Sequence, residues 1–185
     1  MEWRPDNAMH LTGGDPYSRF KSWLAQINPA GRSQKNVAHH YDLSGELYDL
    51  FLCEDRQYSC AYYASPNDTL EQAQENKKNI ISNKLLLEKH HKVLDIGCGW
   101  GGLALHINKH SGADVTGVTL SKEQHALARK RAADGNVADK VHFNFQDYRH
   151  VTEKYDRIVS VGMFEHVGRR QYQTYFDKIY DTLED

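Results

Sequence analysis

Val93-Leu94-Asp95-Ile96-Gly97-Cys98-Gly99-Trp100-Gly101-Gly102 is the stretch of this 185-residue chain from which the rest can be read. Residues 93–96 are an apolar run with one acid in it, which reads as a buried strand. Four glycines then fall within six positions. Glycine alone tolerates both positive φ and the close approach of a ligand to bare peptide N–H groups. A tight turn needs only one, so this loop is shaped around something else. Leu103-Ala104-Leu105-His106-Ile107 follows and reads as a helix whose N-terminus points at whatever the loop holds. Strand, loop and helix together predict a nucleotide-type cofactor site.

Gly97, Gly99 and Gly102 also satisfy G-x-G-x-x-G, the dinucleotide fingerprint. A dinucleotide site expects an acid at the tip of the second strand, about 20 residues on, to hold the ribose hydroxyls. Here the strand at 114–119 runs into Thr119-Leu120-Ser121-Lys122 with no acid. Asp95 stands just before the glycines instead. There its carboxylate either orders the loop or faces a cationic ligand, such as the sulfonium and amino group of S-adenosylmethionine.

Outward from this point the pattern alternates strand and helix. Strands are predicted at 92–96, 115–119, 141–145 and 155–161, which marks an α/β fold with a doubly wound, mainly parallel sheet. A helix over 121–134 opens with a capping box formed by Ser121 and Gln124. A long helix covers 68–89, capped by Asn67 or Asp68, with Leu70, Ala73, Ile80, Ile81, Leu85 and Leu86 on its apolar side. The last helix, 170–183, repeats Tyr172, Phe176, Ile179 and Leu183 at helical spacing. Residues 57–63 are aromatic without a period and read as a loop, and 35–51 as a helical stretch broken near Ser44-Gly45. The chain thus divides into an arm (1–34, with a short helix at 17–26), a helical cap segment (35–90) and a cofactor-binding half (91–185). The fourth strand is left as an uncovered edge, which complete domains avoid, so the sheet reads as truncated.

Composition excludes several classes. Apolar residues make up 39% of the chain and mean hydropathy is -0.74, with no apolar run near the roughly 20 residues of a membrane span. Residues 1–6 lack the apolar core of a secretory signal. Cys53, Cys60 and Cys98 form no C-x-x-C pair, which suits a reducing cytoplasm and gives no zinc signature. A net charge of -2 gives no reason to expect nucleic-acid binding. The histidines, including the adjacent pairs His39-His40 and His90-His91, form no H-x-x-x-H with supporting acids, so no metal site is expected.

Five ordered blocks carry a resemblance: Tyr58-Ser59-Cys60-Ala61-Tyr62, the 93–102 loop, 119–124, Gln146-Asp147-Tyr148 and the 157–168 stretch with Met163-Phe164-Glu165-His166. Over roughly 36–185 they closely resemble the cyclopropane-fatty-acyl-phospholipid synthase family, which lies within the class I S-adenosylmethionine-dependent methyltransferases and includes the mycolic acid cyclopropane synthases. The resemblance implies that a methyl group adds to a cis double bond of a phospholipid acyl chain, and that the resulting cation loses a proton and closes to a ring. It places Gly97, Gly99 and Gly101 at the methionine end of the cofactor, and Thr119 and Gln124 near the ribose. Gln146 and Asp147 fall at the adenine, and Tyr58 and Ser59 on an N-terminal segment closing over the site. It also assigns Glu165 and the backbone N–H of Cys60 to a bicarbonate ion that takes the proton. Other readings stand beside these: Gln124 as a helix cap, Asp147 as a turn residue, Cys60 as a buried inert thiol, Glu165 as a solvated carboxylate. His166, next to Glu165, is expected to point elsewhere.

The family pattern continues with a further strand carrying a His and an Ile, and later a Tyr, and usually has an N-terminal domain. None of these is in the 185 residues. The expectation is therefore a chain that holds cofactor without closing rings. The alternatives are a relative that methylates an acyl chain or a small amine, and a non-catalytic remnant. The implied partner is phospholipid acyl chains at a membrane surface, and the implied location cytoplasmic, on the inner membrane face. Residues 1–40 carry Arg4, Arg19, Lys21, Arg32 and Lys35 against Glu2, Asp6 and Asp15, which is weak attraction at about 1 kcal/mol per basic residue.

Overall fold

The computed structural model describes residues 45–184, so the expected arm and its short helix lie outside the described residues. Strands β1 (Lys92–Ile96), β2 (Asp114–Thr119), β3 (Val141–Phe145) and β4 (Arg157–Val159) form one sheet, ordered β3-β2-β1-β4 and parallel at every pairing. Helices α1 (Gly45–Asp49), α2 (Leu70–Lys84), α3 (Gly102–Ser111), α4 (Lys122–Asp134) and α5 (Tyr172–Thr182) accompany it.

Side chains alternate along the strands, so β1, β2 and β4 feed two cores, while β3 buries one face and exposes His142 and Asn144. Val93, Val115, Val141, Phe143 and Val159 face one side, against Leu103, Ala104 and Ile107 of α3 and Ala128 and Ala132 of α4. Ile81 and Leu85 at the end of α2 pack on the same cluster, so this helix shares the core of the sheet half. Leu94, Ile96 and Val118 face the other side, with Val151, Tyr155 and Ile179 of α5. The chain moves from β1 outward to β3 and then returns to β4 on the other flank of β1. The direction reverses beside β1, and open α/β sheets bind ligands at the carboxyl ends of strands at such a point.

Several boundaries shift, each for a local reason. α2 starts later than expected because Thr69 caps it: the Gln72 N–H donates to Thr69 Oγ1 (3.3 Å) and the Thr69 N–H to Gln72 Oε1 (2.8 Å). Asp68 instead accepts from the Ala64 and Ser65 N–H groups and from Asn76, bracing the turn before the helix. The helix stops at Lys84, and Leu86 then adopts positive φ (48°). β4 is shorter than 155–161 because Tyr155 pairs outward. Its N–H donates to the Thr182 carbonyl, the Glu184 N–H donates to its carbonyl, and Leu183 lies parallel beside it. The chain returning from α5 meets only Tyr155, and β4 itself remains an edge strand of the described sheet, as expected. That helix buries Tyr175 and Thr182 rather than Tyr172 and Phe176. Phe164 stacks on Tyr172 (4.7 Å between centroids) and lies 5.5 Å from Phe176, giving the outward aromatics a partner off the sheet.

Gly101 caps α3 with φ 85°, and a Cβ there would meet Phe143 Cζ at 2.6 Å and Ala128 Cβ at 2.9 Å. Gly99 is also left-handed (φ 55°) but a Cβ there meets nothing within 4 Å. Gly101→Ala should therefore cost about 3 kcal/mol, combining left-handed strain with overpacking, and Gly99→Ala only about 1 kcal/mol. Urea unfolding of the two variants measures the difference.

Candidate functional site

A cleft of about 620 Å³ opens at the carboxyl ends of the strands. Its floor is the loop after β1, where Gly97 (φ 80°) and Gly99 turn the backbone. The Gly97 and Cys98 N–H groups both donate to the Val118 carbonyl (3.0 and 3.1 Å), which fastens the loop to β2. Gly99 has open space where a side chain would be, on the cleft side. Gly101 does not line the cleft: it is a glycine because Phe143 and Ala128 crowd it. Of the three glycines expected to cradle a ligand, Gly97 and Gly99 line the cleft, but only Gly99 has open space at its Cα; a Cβ on Gly97 would meet Met163 Cβ at 3.0 Å.

Asp95 lines the cleft from β1 while its residue is 2% exposed. Burial pushes its carboxyl up to about 7, and Oδ2 has no hydrogen-bond partner. A buried acid left with an unpaired oxygen is costly unless something completes it. Thr119 ends β2 and donates its hydroxyl to Gln124 Oε1 (2.8 Å); both side chains are buried and both line the cleft. The Ser121 hydroxyl does cap α4, accepting from the Gln124 N–H (3.3 Å), but the reciprocal half of the expected capping box is replaced by this Thr119–Gln124 pair.

After β3 the two expected residues separate. Gln146 lines the cleft. Asp147 does not: it is buried and turned onto Arg149, whose Nε and Nη2 donate to its two oxygens (2.9 and 2.6 Å) and whose backbone N–H donates to Oδ1 (3.0 Å). Its carboxyl is buried, which alone would raise it, but Arg149 outweighs that and holds it below the usual range. Tyr148 and Arg149, neither anticipated, line the cleft instead.

The fourth wall is the segment 56–59, with Tyr58 and Ser59 on the cleft as expected. Tyr58 is 56% exposed and packs edge-on to Tyr48, which in turn meets Trp100. Arg131 of α4 ties this segment down, donating to the Asp55 and Trp100 carbonyls (both 3.2 Å). Beyond β4, a Cβ on Gly162 would sit 3.7 Å from Ser59 Cβ and 3.9 Å from Glu165 Oε1, so Ser59 and Glu165 flank one backbone position. The turn Phe164–His166 reverses one expectation: His166 faces the cleft, while Glu165 is exposed outside its lining. Cys60 is exposed rather than buried. Among the described residues no cluster of three or more His, Cys, Asp or Glu could hold a metal, and no helix is long and apolar enough to cross a membrane.

Residues 29–185 match the mycolic acid cyclopropane synthetase family. The chain belongs to this family. It is 47% identical over 137 residues to the cyclopropane-fatty-acyl-phospholipid synthase of Escherichia coli K12, covering 74% of the chain and 35% of that protein. It is 42% identical over 151 residues to a probable fatty acid methyltransferase of Pseudomonas putida, covering 80% and 38%. Among solved structures, the cyclopropane synthase MmaA2 of Mycobacterium tuberculosis superposes with a TM-score of 0.80 at 34% identity, covering 85% of the chain and 54% of that one. The mycolic acid cyclopropane synthase CmaA1, complexed with SAH and CTAB, gives 0.80 at 33%, covering 86% and 55%. The fold is the Rossmann-like one of class I methyltransferases, and the chain spans between about a third and just over half the length of these relatives.

Because burial favours the protonated form of Asp95 in the native state, the unfolded chain releases this proton first as pH rises. Stability should fall between about pH 4 and 7, by at most about 1.4 kcal/mol per unit from this group. Asp95→Asn should flatten that part of the profile; chemical denaturation at several pH values checks it.

Proposed function

We propose that this chain is the cofactor-binding part of an S-adenosylmethionine-dependent enzyme that methylates, and closes to a cyclopropane, the cis double bonds of phospholipid acyl chains. The observation that carries the reading is the buried, half-unpaired carboxyl of Asp95 beside the open backbone at Gly99. A ligand bearing a sulfonium and an ammonium complements that acid, and a nucleotide without positive charge does not. The SAH bound by CmaA1 supports the same cofactor. When bound, S-adenosylmethionine supplies an electrophilic methyl group.

The residues present divide the work. Gly99 leaves room for the amino-acid end of the cofactor, and Gly97 turns the backbone beneath Met163. Thr119 and Gln124 offer a pre-set hydroxyl and carboxamide for the ribose. Gln146 is the polar group of the third loop nearest in role to an adenine contact, and Asp147 acts there by fixing Arg149. An acyl chain needs an apolar approach, and exposed Tyr58 lines the cleft with exposed Phe51 packed edge-on against it. Contact with the cytoplasmic face of a membrane belongs to this proposal. Bicarbonate fits the described residues less well. Glu165 and Cys60 are both exposed, and two exposed groups do not make the dry anion pocket that a proton acceptor needs, so no step is assigned to the ion. Methylation without ring closure is a second reading, favoured by the likeness to the Pseudomonas putida relative.

Thermal unfolding with and without SAH tests the cofactor assignment. At 100 times its dissociation constant the ligand should add about 2.7 kcal/mol of stability, and NADH, which carries no pyridinium charge, should add none at the same concentration. A chain that ignores SAH would overturn the assignment. Lipids from cis-unsaturated vesicles, analysed by mass after mild hydrogenation, separate the two chemistries. Both products gain CH2 when the cation loses its proton, but a methylated chain that keeps its double bond then takes up two hydrogens and a ring does not.

A further inference from the structure

The cleft wall at Ser59 is held from behind by α2, a helix that lines no part of the cleft. Its inward face is apolar at Ala73 and Ile81 but polar between them. Gln74, Lys77 and Lys78 are each buried, although nothing in amphipathic helix design calls for three such residues there. Lys78 is accounted for by its ion pairs with Asp55 and Glu75, both at 2.9 Å. Lys77 is different. Its Nζ donates to the Ser59 hydroxyl at 2.7 Å and to Gln57 Oε1 at 3.0 Å, both neutral acceptors. Gln74 Nε2 donates to the Ser59 carbonyl (3.0 Å) and the Gln57 carbonyl (3.4 Å).

We propose that Lys77 and Gln74 are positioning residues for the cofactor, holding segment 57–59 against the cleft and setting the Ser59 hydroxyl as a donor into it. An ammonium can only donate, so Ser59 Oγ must accept from it. The hydroxyl hydrogen is then turned away from Lys77, toward whatever acceptor the ligand presents. Gln74 fixes the backbone on either side, so the hydroxyl has little freedom left. A buried ammonium held by neutral dipoles is a costly way to fill space, and an apolar side chain of similar length would fill it better. Burial brings Lys77 down to about 8, with Lys78 also lowering it and Cys53, Asp55 and Cys60 raising it. At neutral pH it remains mostly the donor that the geometry requires.

The inference rests on the cofactor reading above, and the two can fail separately. Calorimetric titration of the full chain with SAH is made on wild type, Lys77→Met, Ser59→Ala and the double variant. Each single change should weaken SAH about tenfold, and the double little more than either, since the two groups act as one. Without ligand, amide exchange at 57–59 should speed about tenfold in Lys77→Met. If Lys77→Met does not fold, Gln74→Leu removes the other tether and should weaken SAH in the same way. Additive losses, or unchanged affinity in Lys77→Met and Gln74→Leu while wild type binds, would overturn this inference and leave the cofactor reading intact. A wild-type chain that does not bind SAH overturns both.

Discussion

The left-handed backbone at Gly97, Gly99 and Gly101 is the constraint on which the rest of the structure depends. It lets the chain leave β1, fold back onto the Val118 carbonyl and enter α3 within a few residues. A more generous turn would carry the start of α3 away from the sheet and fill the space above β1. The three glycines nonetheless serve different ends. Gly99 keeps a surface open, while Gly101 lets Phe143 of β3 come close enough to seal the core beneath it. One loop thus sets both the floor of the cleft and the packing of the face below.

How far the sequence could be read follows from how local each signal is. Period-two alternation and the glycine loop depend on neighbours a few residues apart, and β1, β3 and the body of α4 lie where they were expected. The misplaced boundaries depend on distant groups. Tyr155 leaves its strand for the chain returning at Leu183, and Tyr175 rather than Phe176 turns inward, where it meets Tyr148 and Phe164 from distant turns. The site behaves alike. Gly97, Gly99, Thr119 and Gln124 follow from the strand tips. Asp147 and Glu165 do not line the cleft, because the way a short turn leaves a strand decides which of two adjacent side chains faces it. A spacing argument cannot choose between Glu165 and His166, nor between Asp147 and Tyr148.

Polar groups also hold elements together where apolar ones would be expected. Asp55 meets Lys78 of α2 and Arg131 of α4, and Arg131 reaches on to the carbonyl of Trp100. These side chains are partly buried, so breaking one partner would strand the others. The gain is directional. A greasy contact would let the 53–59 segment slide, whereas forked hydrogen bonds specify where Tyr58 and Ser59 stand.

The Arg131–Asp55 link joins residues 76 apart in sequence, and the cleft draws its walls from segments spread between Arg56 and Gln171. Such contacts form late, because loops must close before they repay the entropy of closing. No early, locally structured intermediate can own this cleft. A cleft assembled in this way reports completed folding: nothing can be held in it before the most distant parts of its wall have come together.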